Sequence, residues 1–253
     1  MRISLLLLRL TLVAFPCLLT ANLGAEATPG WVNDYNRLLS TYTFPQGVDY
    51  KRWSENGSDL EALEGIIQHL ESNGPYDSST KGQIAYYANA YNLYVLDGVL
   101  KEYPIKSVRE VAFAFGFFTR KRQTLNGEKM SLNHLEKQIL IKEFKEARVH
   151  FIINCASGSC PPLPTEPLTA DNLERIMEAS ATAFINKHRD GVRKESPGQV
   201  DVSKIFDWYH DDFENDSGSI LAFINKYRMP LLNSDTKIKF LDYDWTLNDT
   251  SQP

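Results

Sequence analysis

The sequence predicts a helix-rich α+β fold: a single globular domain with a small, mostly antiparallel sheet. Three observations carry that expectation. Apolar residues recur at helical spacing in several long segments. Asn126-Gly127 and Ser196-Pro-Gly198 each sit between short extended stretches, the pattern of hairpin turns. The run Val149-His-Phe-Ile-Ile-Asn-Cys155 is apolar on both faces, as in an interior strand. Of 253 residues, 43% are hydrophobic and 23% charged, enough for a full core. The net charge of −5, with no basic run longer than Arg120-Lys121-Arg122, argues against nucleic acid or anionic lipid as a partner.

Residues 1–27 read as a cleaved secretion signal. Arg2 opens it, Leu5 to Leu19 is nearly all apolar, and Ala25-Glu-Ala27 has the small-x-small cleavage pattern. Arg9 and Pro16 leave too short a run to anchor in a bilayer, and no later segment is long and apolar enough to span one. The expected location is periplasmic or secreted, with residues 28–253 as the mature domain. Export changes the cysteine arithmetic. Cys17 leaves with the signal, and Cys155 and Cys160 remain as an even pair in an oxidising compartment.

In chain order, Trp31, Val32, Tyr35, Leu38 and Leu39 mark a first helix to Tyr42. Ser58 or Asp59 is placed to cap a second, with Leu60, Leu63, Ile66, Ile67 and Leu70 as its stripe, ended by Asn73-Gly-Pro75. The helix Lys81–Glu102 is apolar nearly all round and is therefore buried. Its Asn89 and Asn92 are three apart and share a face. Two roles are open to them: fixing neighbouring loops in the core, or pointing into a binding cleft. Ser107 begins a short helix, and Thr119–Met130 is a hairpin about Asn126-Gly127. Ser131 caps a helix with Leu132, Leu135, Ile139 and Leu140 inward. Its Glu136 is either an exposed charge or an inward carboxylate orienting His150.

On the strand expected next, alternation puts His150, Ile152 and Asn154 on one face, and Phe151, Ile153 and Cys155 on the other. A Cys160 thiol returning on the loop could reach His150. Thr169 caps a helix from Ala170 to Lys187, Gly191–Val202 forms the second hairpin, and Lys204–Phe213 is a helix. Asp207, Asp211 and Asp212 on it read as a solvated face without calcium-loop spacing. Ser217 or Ser219 opens the last helix to Arg228, and Lys237–Tyr243 is a closing strand.

The chemistry is expected at the Cys155–Cys160 loop. Of two candidate thiols, Cys160 and Cys155, Cys160 is expected to attack, with His150 as base and Glu136 or Asn154 orienting the imidazole. Ser157-Gly158-Ser159 would present backbone N–H groups to an oxyanion. The competing reading is a Cys155–Cys160 disulfide that pins the loop. The spacing of His150, Cys155 and Cys160, with His134 or Glu136 as a fourth ligand, fits no zinc template, so no metal or other cofactor is assigned. Asn89, Asn92, Cys155, Ser157 and Ser159 complete the candidate cleft.

Several motifs occur in order: Asn89-Ala-Tyr-Asn92, Tyr103-Pro104, Ser131-Leu132 with Glu136, Val149-His-Phe, Asn154-Cys-Ala-Ser-Gly-Ser-Cys-Pro-Pro-Leu163, and Tyr243-Asp-Trp-Thr-Leu-Asn248. Together they resemble the domain-of-unknown-function 547 family over Trp31 to Asn248. The resemblance brings no activity with it. One position departs from the family pattern, which usually reads Glu-His where this chain has Glu136-Lys137. A helix with a polar centre followed by a strand carrying histidine is also similar to the papain and transglutaminase-like architecture. There a cysteine starts the helix, and Asn89 to Asn92 supplies no thiol.

Two functions are consistent with these residues. One is an exported thiol-dependent hydrolase or transferase acting on amide or thioester bonds of a small-molecule or peptide ligand. The other is a non-catalytic binding or scaffold domain with a disulfide-pinned loop.

Overall fold

The computed structural model describes residues 29–112, 115–196 and 198–251; the expected signal segment lies outside the described residues. Helix α1 (Gly30–Tyr42) buries Trp31, Val32, Tyr35, Leu38 and Leu39, the stripe its spacing predicts. A short ladder, β1 (Thr43–Phe44) with β2 (Gly47–Val48), and α2 (Tyr50–Ser54) follow. The cap of α3 (Gly57–Ser72) is Asn56, not Ser58 or Asp59. The Asn56 side chain accepts the Asp59 N–H. Asp59 is itself buried and accepts the Tyr42 hydroxyl at 2.6 Å, so it is engaged tertiarily before it could cap.

Helix α4 (Thr80–Glu102), capped by Ser79, is buried along most of its length. Its all-round apolarity is matched by neighbours on several sides: α2, α3 and the helix around Glu136. After α5 (Gly116–Thr119), strands β3 (Gln123–Leu125) and β4 (Glu128–Met130) pair antiparallel. Asn126 (φ 49°) and Gly127 (φ 81°) are both left-handed, as a two-residue hairpin turn needs. Ser131 caps a continuous helix made of α6 (Leu132–His134), a π-helical segment Leu135–Ile141 and α7 (Lys142–Phe144).

The expected interior strand Val149–Cys155 is not a strand. Ala147–Phe151 is a 3₁₀ helix, capped by the Glu146 side chain, and the chain then runs irregularly to Cys160. Val149 and Ile152 donate to the carbonyls three residues back. The segment is apolar on both faces because it lies between two apolar clusters. Val149, Ile152 and Ile153 belong to one, built on α1 to α4. Ala147 and Phe151 belong to the other, with Phe184, Phe206, Phe213 and Phe223. Burial on both sides is common to interior strands and to a wedged 3₁₀ turn, so periodicity cannot separate them. Nor does α4 pack on a sheet here. It holds the segment directly, with Asn92 Nδ2 donating to the Ile152 carbonyl and Asn92 Oδ1 accepting from Asn154 N–H.

The second cluster is enclosed by the remaining elements. Helix α8 (Leu173–Lys187) starts three residues later than its sequence suggests, because Thr169 and Asn172 first bond each other in a turn. Strands β5 (Val192–Ser196) and β6 (Gln199–Val202) form the second hairpin. The helix expected over Lys204–Phe213 is broken at Tyr209 (φ −118°, ψ 32°) into α9 (Ile205–Trp208) and α10 (His210–Ser217). Ser219 caps α11 (Ile220–Tyr227), and β7 (Lys237–Phe240) joins β6 in parallel. The described residues thus form a helix-rich fold with small, mostly antiparallel sheets. Among them no helix is long and apolar enough to cross a membrane.

Beyond β7, residues 243–250 are stitched across both halves as an irregular strap. Leu247 N–H donates to the Lys106 carbonyl, Asn248 N–H to Ala156, and the Gly158 N–H to Thr246. At its far end the Val48 N–H donates to the Asn248 carbonyl, and Thr250 N–H to Val48. Gly47 (φ 150°) makes this closeness feasible, since a Cβ there would lie 2.0 Å from the Asn248 carbonyl oxygen. Gly47→Ala is therefore expected to cost about 2–3 kcal/mol, combining a disfavoured φ with displacement of the strap. Gly127→Ala, with open space around its Cβ position, should cost only about 1 kcal/mol. Urea midpoints of the two variants test the ranking; equal losses would contradict it.

Candidate active site

Loop Cys155–Cys160 is shaped by buried hydrogen bonds that start at Asn154. Its Oδ1 accepts from the Ala156 N–H (2.8 Å) and from Asn248 Nδ2 (3.2 Å), and its Nδ2 donates to the Pro161 carbonyl (2.7 Å). Ala156 is left-handed (φ 60°), a conformation costing a non-glycine residue about 1–2 kcal/mol. The bonds to Asn154 and to the strap hold it there. Of the three amides expected to form an oxyanion site, those of Gly158 and Ser159 are already committed, as is the next, of Cys160. Gly158 N–H donates to Thr246, Ser159 N–H to Asp244 and Cys160 N–H to Ser157. The Tyr243 hydroxyl, beside Cys155 on the cavity wall, is a donor the site presents.

Both cysteines are free thiols, so no disulfide pins the loop in this structure. Their environments differ. Cys155 Sγ lies 3.0 Å from Ser157 Oγ and 3.2 Å from the Tyr243 hydroxyl, and Ser157 Oγ donates to that hydroxyl at 3.1 Å. The three groups close a ring. As a thiol, Cys155 can donate to Ser157; as a thiolate, it can accept from both hydroxyls. Burial pushes the Cys155 thiol up, but hydrogen bonding from Cys160, Ser157 and Tyr243 outweighs it and holds Cys155 below an ordinary cysteine. Cys160 is pushed well above its ordinary value, by burial and then by Cys155 beside it. Burial and the two cysteines also raise Tyr243, which keeps it protonated as a donor. The first proton of the pair therefore leaves Cys155. The sequence argument, which favoured Cys160, could not weigh these contacts because Tyr243 is remote in sequence.

Cys155, Cys160, His150 and Glu136 line one cavity of about 540 Å³, within the range of small-molecule sites. Tyr91, Tyr209, Trp208, Tyr243, Trp245 and Phe115 give it aromatic walls. Trp208 and Phe115 are 46% and 44% exposed and stand at its rim. His150 is buried, and its Nε2 is 2.8 Å from Asp212 Oδ2. The partner orienting the imidazole is thus Asp212, neither Glu136 nor Asn154. Asp212 was expected on a solvated face; Asp211 is on one, but the break at Tyr209 turns Asp212 toward the 3₁₀ helix.

Glu136 is inward, as one of its two sequence readings had it, yet serves other partners. It accepts the Tyr91 hydroxyl at 3.1 Å and also the Tyr209 hydroxyl. The π-helical turn Leu135–Ile141 carries it, a distortion frequent at functional sites. Lys137, where the resembled family usually has histidine, also lines the cavity. His134 is exposed on the same helix.

The remaining candidates are hydrogen-bonded to the protein's own groups. Asn89 exchanges both its amide groups with the Leu168 backbone (2.8 and 3.0 Å), as Asn92 does with Ile152 and Asn154. Ser159 Oγ donates to Asp190 and accepts from the Asp244 N–H. Of the expected set, Asn89, Asn92, Asn154, Ser157 and Ser159 stand behind the cavity wall and shape it. Tyr209 carries no sequence signal of a place in the cavity wall, Asp212 has the pattern of a solvated charge, and Tyr91 and Tyr243 lie within the Asn89–Asn92 and Tyr243–Asn248 motifs. Among the described residues no group of three or more His, Cys, Asp or Glu side chains could hold a metal ion.

The thiol geometry fixes a pH response. Iodoacetamide should label Cys155 with a midpoint below that of an ordinary cysteine, about 8.5, while Cys160 stays unlabelled. Tyr243→Phe removes one donor to the thiolate and should move the midpoint upward. A profile unmoved by that substitution would remove Tyr243 from the site. Glu136→Ala strands the buried Tyr91 and Tyr209 hydroxyls and should lower stability by about 1–3 kcal/mol, read from a urea midpoint.

Comparison with known proteins gives one match. No curated protein and no solved structure matches the chain. The papain and transglutaminase-like likeness thus finds no counterpart among them, and the histidine strand on which it leaned is a 3₁₀ helix. The family match is narrower than the span Trp31–Asn248 over which the motifs were read, and leaves α1, Asp212 and the strap outside it. Residues 75–185, which carry α4, Glu136, His150 and the whole cysteine loop, match the family described as "Protein of unknown function, DUF547".

Proposed function

We propose that this chain is an exported thiol-dependent enzyme, a single globular domain after its signal segment, that transfers or hydrolyses acyl groups held in amide or thioester bonds. The observation that carries this reading is the convergence of two devices on one cavity. One is the Cys155 thiol, hydrogen-bonded by Ser157 and Tyr243; the other is the His150–Asp212 pair. Cys155 replaces Cys160 as the nucleophile.

In this scheme the Cys155 thiolate attacks the carbonyl carbon of the substrate, and the carbonyl oxygen takes up the negative charge. The Tyr243 hydroxyl on the cavity wall, released from the sulfur as the C–S bond forms, is the donor for that charge. The tetrahedral species collapses by expelling the amine or thiol. His150, fixed through Nε2 by Asp212, takes up on Nδ1 the proton lost by the Cys155 thiol and returns it to the leaving group. Water then releases the acyl group, or another nucleophile accepts it. The aromatic walls favour substrates with a flat or apolar portion. A second reading is a binding or scaffold domain whose Cys155 and Cys160 are joined after export. What favours it is the position of Cys160 Sγ, 2.9 Å from the Cys155 amide nitrogen.

Mature protein incubated with a panel of activated aryl esters and thioesters, and examined by intact mass, should gain one acyl group. Peptide mapping should place it on Cys155. Cys155→Ser should abolish the gain, and His150→Ala should slow turnover by about 10²–10⁴-fold. Acylation that survives Cys155→Ser would end the proposal. A mature protein that alkylates only after reduction, and does not acylate even then, would favour the second reading.

A further inference from the structure

The mechanism above leaves one nucleophilic group unused. Cys160 is 7% exposed, lines the same cavity as Cys155, and has its Sγ 2.9 Å from the Cys155 amide nitrogen. A sulfur in hydrogen-bond range of the Cys155 backbone lies close to the carbon that carries the Cys155 sulfur, and a disulfide requires the two sulfurs to meet. Just four residues separate the cysteines, and the strap and Asn154 already hold both ends of the loop.

We propose that Cys155 and Cys160 form a reversible dithiol–disulfide centre, in which Cys155 attacks small disulfides and Cys160 resolves the mixed disulfide, closing the site in its oxidised state. The inference rests on the reading of Cys155 as the reactive thiol and adds to it a regulation by disulfide redox state.

The steps balance. The Cys155 thiolate attacks one sulfur of a low-molecular-weight disulfide R–S–S–R. A protein–S–S–R bond forms and R–S⁻ leaves with the proton lost by Cys155. Cys160, as its thiolate, then attacks Cys155 Sγ. The intramolecular disulfide forms, and the second R–S⁻ leaves with the proton of Cys160. The protein dithiol has lost two electrons, and the small disulfide has gained them as two thiols.

The asymmetry of the pair suits this order of events. The attacking thiol should carry the charge at working pH, and the resolving thiol should be shielded from direct attack. Cys155 is the one held low, and Cys160 the one buried and held high. Part of what holds Cys160 high is the charge on Cys155. Formation of the mixed disulfide neutralises that charge, so Cys160 becomes easier to ionise once its attack is needed. Its short tether also gives it an effective concentration well above that of free thiols in solution.

The test uses mature protein, reduced and freed of reductant, then exposed to oxidised glutathione and read by intact mass and peptide mapping. Wild type should lose two hydrogens, retain no glutathione, and regain iodoacetamide labelling only after reduction. Cys160→Ser should retain one glutathione, mapped to Cys155. Cys155→Ser should take up none, because Cys160 is buried; unfolding of that variant is checked by circular dichroism. Mapping of the wild-type disulfide peptide gives the same answer without any variant. Wild type that keeps glutathione on Cys155 would overturn the inference and leave the acyl-transfer reading intact. So would protein inert to oxidised glutathione that still acylates at Cys155. Protein that neither exchanges nor acylates would overturn both.

Discussion

A single buried amide, that of Asn154, ties three parts of the chain that are distant in sequence. Its backbone N–H belongs to Asn92 on α4, its side-chain oxygen to Ala156 and Asn248, and its side-chain nitrogen to Pro161. Leaving such groups unpaired in the interior costs about 1–3 kcal/mol each, so no member can move alone. The left-handed Ala156 follows from this. The loop must turn sharply at that residue for Asn154 to accept its N–H, and the network offsets the strain. The position of Cys155 is therefore set by bonds that do not involve sulfur.

The same constraint explains why the site lies where the two apolar clusters meet. Segment 147–151 gives Val149 to one cluster and Ala147 and Phe151 to the other. His150 emerges between them, with its ring 4.0 Å from that of Tyr209. Tyr209 comes from the break between α9 and α10, and Tyr91 from the buried face of α4. Both hydroxyls meet at Glu136. The carboxylate thus joins the two clusters in the way Asn154 joins the loop to the strap.

Much of this architecture is written locally. The stripes of α1, α3 and α4, the Asn126-Gly127 turn and the Ser131 cap are short-range signals, and each element lies close to where its spacing puts it. The loop Cys155–Cys160 stood out because two cysteines, small residues and prolines are concentrated there. What was not legible depends on distance in sequence. Residue Asp212 has the pattern of an exposed helix charge until the break at Tyr209 rotates it, and Tyr243 reaches Cys155 across 88 residues. The choice between Cys155 and Cys160 turns on hydroxyls and burial, which no spacing encodes. Asn89 and Asn92 were seen to share a face, but only the backbone of Leu168, Ile152 and Asn154 shows that the face is a clamp.

Strap 243–250 also orders events in time. Everything it binds — the turn at Val48, the carbonyl of Lys106 and the loop after Asn154 — precedes it on the chain. A polypeptide made from its N-terminus therefore has both cysteines in hand well before Tyr243 exists to bond one of them. Until the strap arrives, Ala156 lacks its bond from Asn248 and the thiol lacks its tyrosine. The ring that sensitises Cys155 closes only when these last residues dock. In nascent or clipped chains Cys155 thus lacks its tyrosine donor, and part of its reactivity is conferred by docking of the strap.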